Sequence, residues 1–256
     1  MFVHIKGRSL PEAWERSIVE VWKKGIIIDT EYGEKSKDIP IAIEIENPFA
    51  EPRVHLKGIV AGRLEGLFEY VNEVVKGIHD DKVKEYGYTY HERLFNYTIG
   101  VNLVDIPVRE SKVQFKVKTN QIDYIIRKLK KAPYSRRAQA ITWKPWIDPN
   151  LDYPPCLQRI WCRIVDGKLV MHTHMRSNDA LKASYMNMFA FTELQRYIAE
   201  KLGVETGYYL HIADSYHIYE SDWKWAEKFV GQIESGKSRR FWMETEHFKK
   251  IAVRSC

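Results

Sequence analysis

The sequence predicts an α+β protein. Three observations carry that reading: apolar residues at helical spacing in stretches bounded by Gly or Pro, two β-rich runs joined by Asp166-Gly167, and no regular β-α-β alternation. Residues 10–25 follow Ser9, a good N-cap. Their apolar members Trp14, Ile18, Val21 and Trp22 recur on one helical face, and Gly25 offers a stop. A second helix is expected over 64–76, ending at Gly77. A third spans 121–131, carrying Ile122, Ile125, Ile126 and Leu129 and stopping before Pro133. Residues 137–143 read as a strand that ends at a turn containing Pro145 and Pro149. Strands 157–165 and 168–175 flank the Asp-Gly turn of a hairpin. A long, largely buried helix over 184–202 closes at Gly203. A buried strand over 208–213 and a Trp-rich helix over 221–229 complete the reading.

Composition narrows the class. The 256 residues hold 40 Lys+Arg against 34 Asp+Glu, a net charge of +6, with 45% hydrophobic and 29% charged residues. That balance is a folded protein's and excludes disordered, collagen-like and mucin-like chains. The length suits one large domain or two small ones. Three cysteines, two of them close together (Cys156, Cys162) and the third at Cys256, exclude a disulfide framework and suit a reducing cytoplasm. No stretch approaches the roughly 20 apolar residues of a membrane span, and the first residues lack a signal-peptide apolar region. The basic excess is spread along the chain. It fits a solvated surface, or an anionic small substrate such as a nucleotide, better than extended nucleic acid.

Cys156 follows Pro154-Pro155, whose rings restrict the approach to the hairpin strand. A cysteine there is ordinarily a packing residue. A zinc site is disfavoured, because Cys156 and Cys162 are six apart and no C-x-x-C pair or close His cluster accompanies them. The hairpin adds Arg176-Ser177-Asn178-Asp179 at the exit of its second strand, beside the entry of the first. A guanidinium near a thiol favours the reactive thiolate and can hold a phosphate in bidentate fashion. Its ordinary alternative is an arginine capping a turn.

Taken in order, Ser135-Arg136-Arg137, Trp143, Pro154-Pro155-Cys156, Arg176-Ser177-x-Asp179, Asn187 and His217-Ile218-Tyr219 resemble the motif set of the thymidylate synthase family, in its archaeal-type variety. The spacings agree: 20 from Arg136 to Cys156, 20 from Cys156 to Arg176, and 30 from Asn187 to His217. Residues 88–94 and Gln121-Ile122 add weaker agreement upstream. The resemblance implies a single catalytic domain over 1–256, with a mixed, largely antiparallel sheet packed with helices and a homodimer formed through the sheet.

It also implies roles. Cys156 matches the nucleophile that adds to carbon 6 of the uracil of dUMP, making carbon 5 reactive toward the methylene of a reduced folate. Arg176 would bind the 5′-phosphate and Ser177 would add a hydroxyl. Arg136 and Arg137 match a pair reaching that phosphate across the dimer interface, though an isolated double arginine is by default a surface pair. Asn187 matches the base reader: its amide donates to O4 and accepts from N3–H, a pattern that cytosine reverses. Relatives that hydroxymethylate deoxycytidylate carry Asp there. A helix-start asparagine serving backbone groups is the alternative. His217 and Tyr219 match the holders of the ribose 3′-hydroxyl, two apart on one strand face. Asp179 would contact substrate or pterin, and Tyr90 matches a tyrosine associated with proton removal from carbon 5. Glu69 stands for the family's buried glutamate, with Glu65 and Glu73 as rivals.

The co-substrate implied is 5,10-methylenetetrahydrofolate or a methanopterin-type analogue, with no metal. Departures bear on that pterin: Leu157 stands where the family has His and Met175 where it has Gln, and residues 182–186 replace the usual approach to Asn. No N-terminal phosphate-loop arginine is evident beyond Arg53, and the chain ends beyond the family's short apolar tail. A pyrimidine nucleotide 5-hydroxymethylase, and a non-catalytic nucleotide- or RNA-binding protein of the same fold, are the alternatives.

Overall fold

The computed structural model describes residues 2–59, 66–102 and 114–254. The elements run β1 (Val3–Gly7), α1 (Leu10–Lys24), β2 (Ile26–Asp29), β3 (Lys35–Ile45), β4 (Val54–His55), α2 (Gly66–Lys76), α3 (Val83–Tyr86) and α4 (Tyr90–Phe95). Then come β5 (Tyr97–Asn102), β6 (Gln114–Thr119), α5 (Gln121–Lys131), β7 (Gln139–Ile141), β8 (Leu157–Val165), β9 (Lys168–Met175) and β10 (Asn178–Asp179). The chain closes with α6 (Ser184–Leu202), β11 (Glu205–Tyr219), α7 (Trp223–Glu234), β12 (Trp242–Met243) and α8 (Thr245–Arg254).

The main sheet runs β1-β3-β11-β9-β8-β7, with β2 added to β3 and β10 to β11. Pairs β2–β3, β3–β11, β8–β9 and β7–β8 are antiparallel; β1–β3, β9–β11 and β10–β11 are parallel. This is the α+β class that the sequence pattern predicts, with the mixed, mostly antiparallel sheet that the family resemblance implies. The β8–β9 hairpin forms as expected because Asp166 and Gly167 both take positive φ, 49° and 74°, the twist a two-residue hairpin turn requires.

One face of the sheet is covered by α6 and α1. Helix α6 is apolar nearly all round, burying Met188, Phe189, Phe191, Leu194 and Ile198 together, as a helix enclosed on several sides must. Trp14 of α1 is fully buried, and its indole N–H donates to the Ala180 carbonyl at 2.8 Å. Leu210 and Ile212, on the opposite face of β11, remain only half-buried, in alternation with fully buried Tyr209 and His211.

Several boundaries differ from expectation. The 208–213 strand is the centre of the longer β11, whose extension carries His217 and Tyr219 along β3. The strand expected at 137–143 shortens to β7, and the helix expected at 221–229 shifts to α7. Gly25 ends α1 without a left-handed turn (φ −61°); a Cβ there would collide with the Val21 carbonyl, so contact demands the glycine. Leu64 and Glu65 of the expected second helix, and Cys256, lie outside the described residues. Among the described residues no helix is long and apolar enough to cross a membrane.

Candidate functional site

The β8–β9 register sets the centre of the site. Leu157 pairs with Met175, and the Arg176 N–H donates to the Cys156 carbonyl at 2.9 Å, so the two side chains leave the sheet together. A parallel bridge then places Asp179 beside His217. Helix α6 brings Asn187 from the covered face, and α2 and α4 bring Tyr70, Glu73 and Tyr90. These walls enclose a cavity of about 670 Å³ that contains Cys156, Arg176, Ser177, Asp179, Asn187, His217, Tyr219 and Tyr90. That volume is within the range of small-molecule sites.

Arg176 is not aimed only at the thiol. Its Nε and Nη2 donate to the Pro155 and Pro154 carbonyls at 3.1 and 2.7 Å. Burial pushes the Cys156 thiol above its ordinary range, and Arg176 pulls it only partly back. The expectation that the guanidinium would favour the thiolate is therefore met in sign and outweighed by desolvation. Cys162, fully buried within β8, is pushed up further by burial alone and is a packing residue.

Among the described residues the Asn187 side chain bonds no backbone group. Its Oδ1 accepts from the Tyr70 hydroxyl at 2.6 Å, and the residue is 7% exposed. His217 and Tyr219 share a face, as strand periodicity requires, with ring centroids 4.8 Å apart. His217 Nδ1 lies 3.2 Å from Ser215 Oγ, which in turn bonds Asp38. Asp179 has a turn-forming role: Oδ1 accepts from the backbone N–H groups of Leu181 and Lys182 at 2.9 and 2.8 Å, while burial pushes its carboxyl upward. Tyr90 opens α4, whose N-cap Thr89 accepts from the Glu92 N–H. The Leu157 N–H donates to the Tyr90 hydroxyl at 3.2 Å, and burial holds that phenol well above its ordinary value.

Four sequence candidates stand elsewhere. Glu69 is half exposed and meets His79 at 3.4 Å, outside the cavity. Its rival Glu73, three residues after Tyr70 and thus on the same helical side, lines the cavity and bonds His79 Nδ1 at 3.0 Å. Arg53 is unavailable to a phosphate, because its guanidinium is 2% exposed and bound by Glu193, Thr192 and the Pro48 carbonyl. Arg136 and Arg137 are exposed beyond the cavity, and among the described residues neither guanidinium has an ion-pair partner. Sequence reading missed Tyr70; its signal was its place one turn before Glu73 on an amphipathic helix. Among the described residues no cluster of three His, Cys, Asp or Glu side chains could hold a metal ion.

Fold and cavity together define an α+β protein with a thiol-lined cavity of small-molecule size. The chain belongs to the thymidylate synthase family, whose family model, described as "Thymidylate synthase", matches residues 69–254. It is similar to the "Putative thymidylate synthase" of Methanosarcina mazei, 31% identical over 230 residues covering 90% of this chain and 95% of that one. The protein of the same description from Methanocaldococcus jannaschii is 36% identical over 234 residues, covering 88% and 95%. A "Thymidylate synthase" from Bacillus licheniformis is 35% identical over 102 residues, 40% of this chain and 37% of its own.

Proposed function

We propose that this chain, acting as one catalytic domain over 1–256, converts dUMP to dTMP by reductive methylation at carbon 5. The observation that supports this most is the shared cavity of Cys156, Arg176 and Asn187. Cys156, as thiolate, adds to carbon 6 of the ring and forms a C–S bond. The displaced electron pair passes to carbon 5 and O4, where the Asn187 amide donates to the developing oxyanion. Carbon 5 becomes the nucleophile, later loses its proton, and elimination of the Cys156 thiolate restores the ring.

A bound reduced pterin, methylenetetrahydrofolate or a methanopterin-type analogue, supplies the one-carbon unit and the hydride. The tyrosine walls fit a flat bicyclic ring, with Tyr86 and Tyr153 exposed where they line the cavity. Tyr90, kept neutral by burial, works as a hydrogen-bond relay, and Glu73 is the carboxylate nearest that role. His217 and Tyr219 would hold the ribose 3′-hydroxyl.

Charge supports a homodimer with a shared phosphate site, and the proposed role in nucleotide synthesis suits the cytoplasm. The cavity walls include Asp29, Glu31, Glu73, Asp152 and Asp179, against Arg176 as the arginine. Nη1 of Arg176 makes no hydrogen bond among the described residues and can take a phosphate oxygen. A dianion among those carboxylates requires more cations, which Arg136 and Arg137 of a second copy would supply. Half-buried Leu210 and Ile212 on the open sheet face give that copy an apolar seat.

The test is incubation with dUMP and methylenetetrahydrofolate, following dihydrofolate absorbance and the product's mass. A methyl product, abolished in Cys156→Ala while dUMP binding survives, is expected. A hydroxymethyl product would instead assign the water-trapping reaction, and no product with either folate or methanopterin would overturn the proposal.

A further inference from the structure

Tyr70 stands on α2 and projects into the wall behind Asn187. Its hydroxyl donates to Asn187 Oδ1 at 2.6 Å and makes no other hydrogen bond among the described residues. Burial first, then neighbouring Glu73 and Tyr88, pushes the phenol well above its ordinary value. The hydroxyl therefore keeps its hydrogen and remains a donor across the working pH range.

A primary amide has two nearly isosteric orientations, with oxygen and nitrogen exchanged by a half-turn. In one it offers an amide N–H toward O4 and its oxygen toward N3–H, the complement of uracil. Turned over, it offers the complement of cytosine. An asparagine that rotates freely would read both bases. Here the Tyr70 hydroxyl needs an acceptor, and Oδ1 is the acceptor it has. Turning the amide over would set Nδ2 against the phenol and leave its hydrogen without its acceptor in a part-buried wall, which is costly. Oδ1 has a second lone pair, so the bond from Tyr70 leaves it able to accept from N3–H as well.

We propose that Tyr70 is the positioning residue that holds the Asn187 amide in its uracil-reading orientation and thereby sets the preference for uracil over cytosine nucleotides. This rests on Asn187 reading the base.

The experiment is titration calorimetry of dUMP and dCMP against the wild-type chain, Tyr70→Phe and Asn187→Asp, without pterin, with unfolding midpoints measured alongside. Tyr70→Phe should stay folded and narrow the dUMP-to-dCMP affinity ratio by about tenfold, through weaker dUMP and stronger dCMP binding. An unchanged ratio, with both ligands weakened equally, would overturn the inference and leave the hydroxyl a packing role. Asn187→Asp separates the two failures. If it shifts the ratio while Tyr70→Phe does not, base reading stands and the Tyr70 role falls; if neither shifts it, both fall.

Discussion

The Arg176 backbone N–H bonds the Cys156 carbonyl at 2.9 Å, so thiol and guanidinium leave neighbouring strands at one end of the sheet. Burial raises the thiol and Arg176 lowers it, with burial the larger effect. Iodoacetamide alkylation at Cys156, mapped by peptide mass, should keep accelerating above pH 9. Arg176→Ala removes the opposing charge, so its inflection should move higher and its rate at pH 8 fall about three- to tenfold. An unmoved inflection would show that the two groups are not electrostatically coupled.

Glu73 faces the cavity and Glu69 does not. Glu73→Gln should lower kcat by about a hundredfold, the scale of a lost proton-transfer group, with dUMP binding nearly intact. Glu69→Gln should stay within about twofold of wild type, as an exposed pair warrants. The reverse order of effects would return the role to Glu69.

Arg93 holds the helix that carries Tyr90. Its guanidinium binds Asp148 in bidentate fashion at 3.0 and 2.7 Å and the Thr142 carbonyl at 2.9 Å. Arg93 is 1% and Asp148 0% exposed, so removing Asp148 leaves the buried guanidinium, among the described residues, only Glu92 at 3.1 Å from its Nε as an ionic partner. Asp148→Ala should cost about 3–5 kcal/mol in urea unfolding. The double variant Arg93→Leu/Asp148→Leu should cost less than the two single changes summed; simple additivity would argue against the pair.

His211 is buried within a neutral network. Its Nε2 donates to Asn178 Oδ1 at 2.8 Å, and Nδ1 faces the Thr173 and Tyr209 hydroxyls at 3.1 and 3.0 Å, one of which donates to it while the two bond each other at 2.5 Å. Burial pushes its pKa down from 6.5 to about 3. Below pH 6.5 the unfolded chain takes a proton that the folded chain refuses, so this stabilisation is complete above 6.5 and lost as pH falls toward 3. Urea midpoints between pH 7.5 and 4.5 should therefore fall more steeply for wild type than for His211→Gln. Equal slopes would mean that His211 is protonated in the folded state.

Local chemistry explains what was legible in advance. The Asp-Gly turn, the apolar run of α6 and the periodicity of α5 are properties of contiguous residues, and the elements they predict form at 157–175, 184–202 and 121–131. The N-terminal strands escaped notice because β2 is wholly exposed and β3 alternates irregularly. Neither pattern distinguishes a strand from a loop until β11 supplies the partner.

The order of Cys156, Arg176, Asn187 and His217 along the chain was enough to declare the family, because those residues sit at fixed separations on short, locally specified elements. Which glutamate faces inward, whether Arg53 is free, and what holds the Asn187 amide were decided only by folding. Each depends on α6 meeting either α2 or the Arg53 segment across more than a hundred residues of sequence, where desolvation and the demand that buried polar groups find partners select one arrangement.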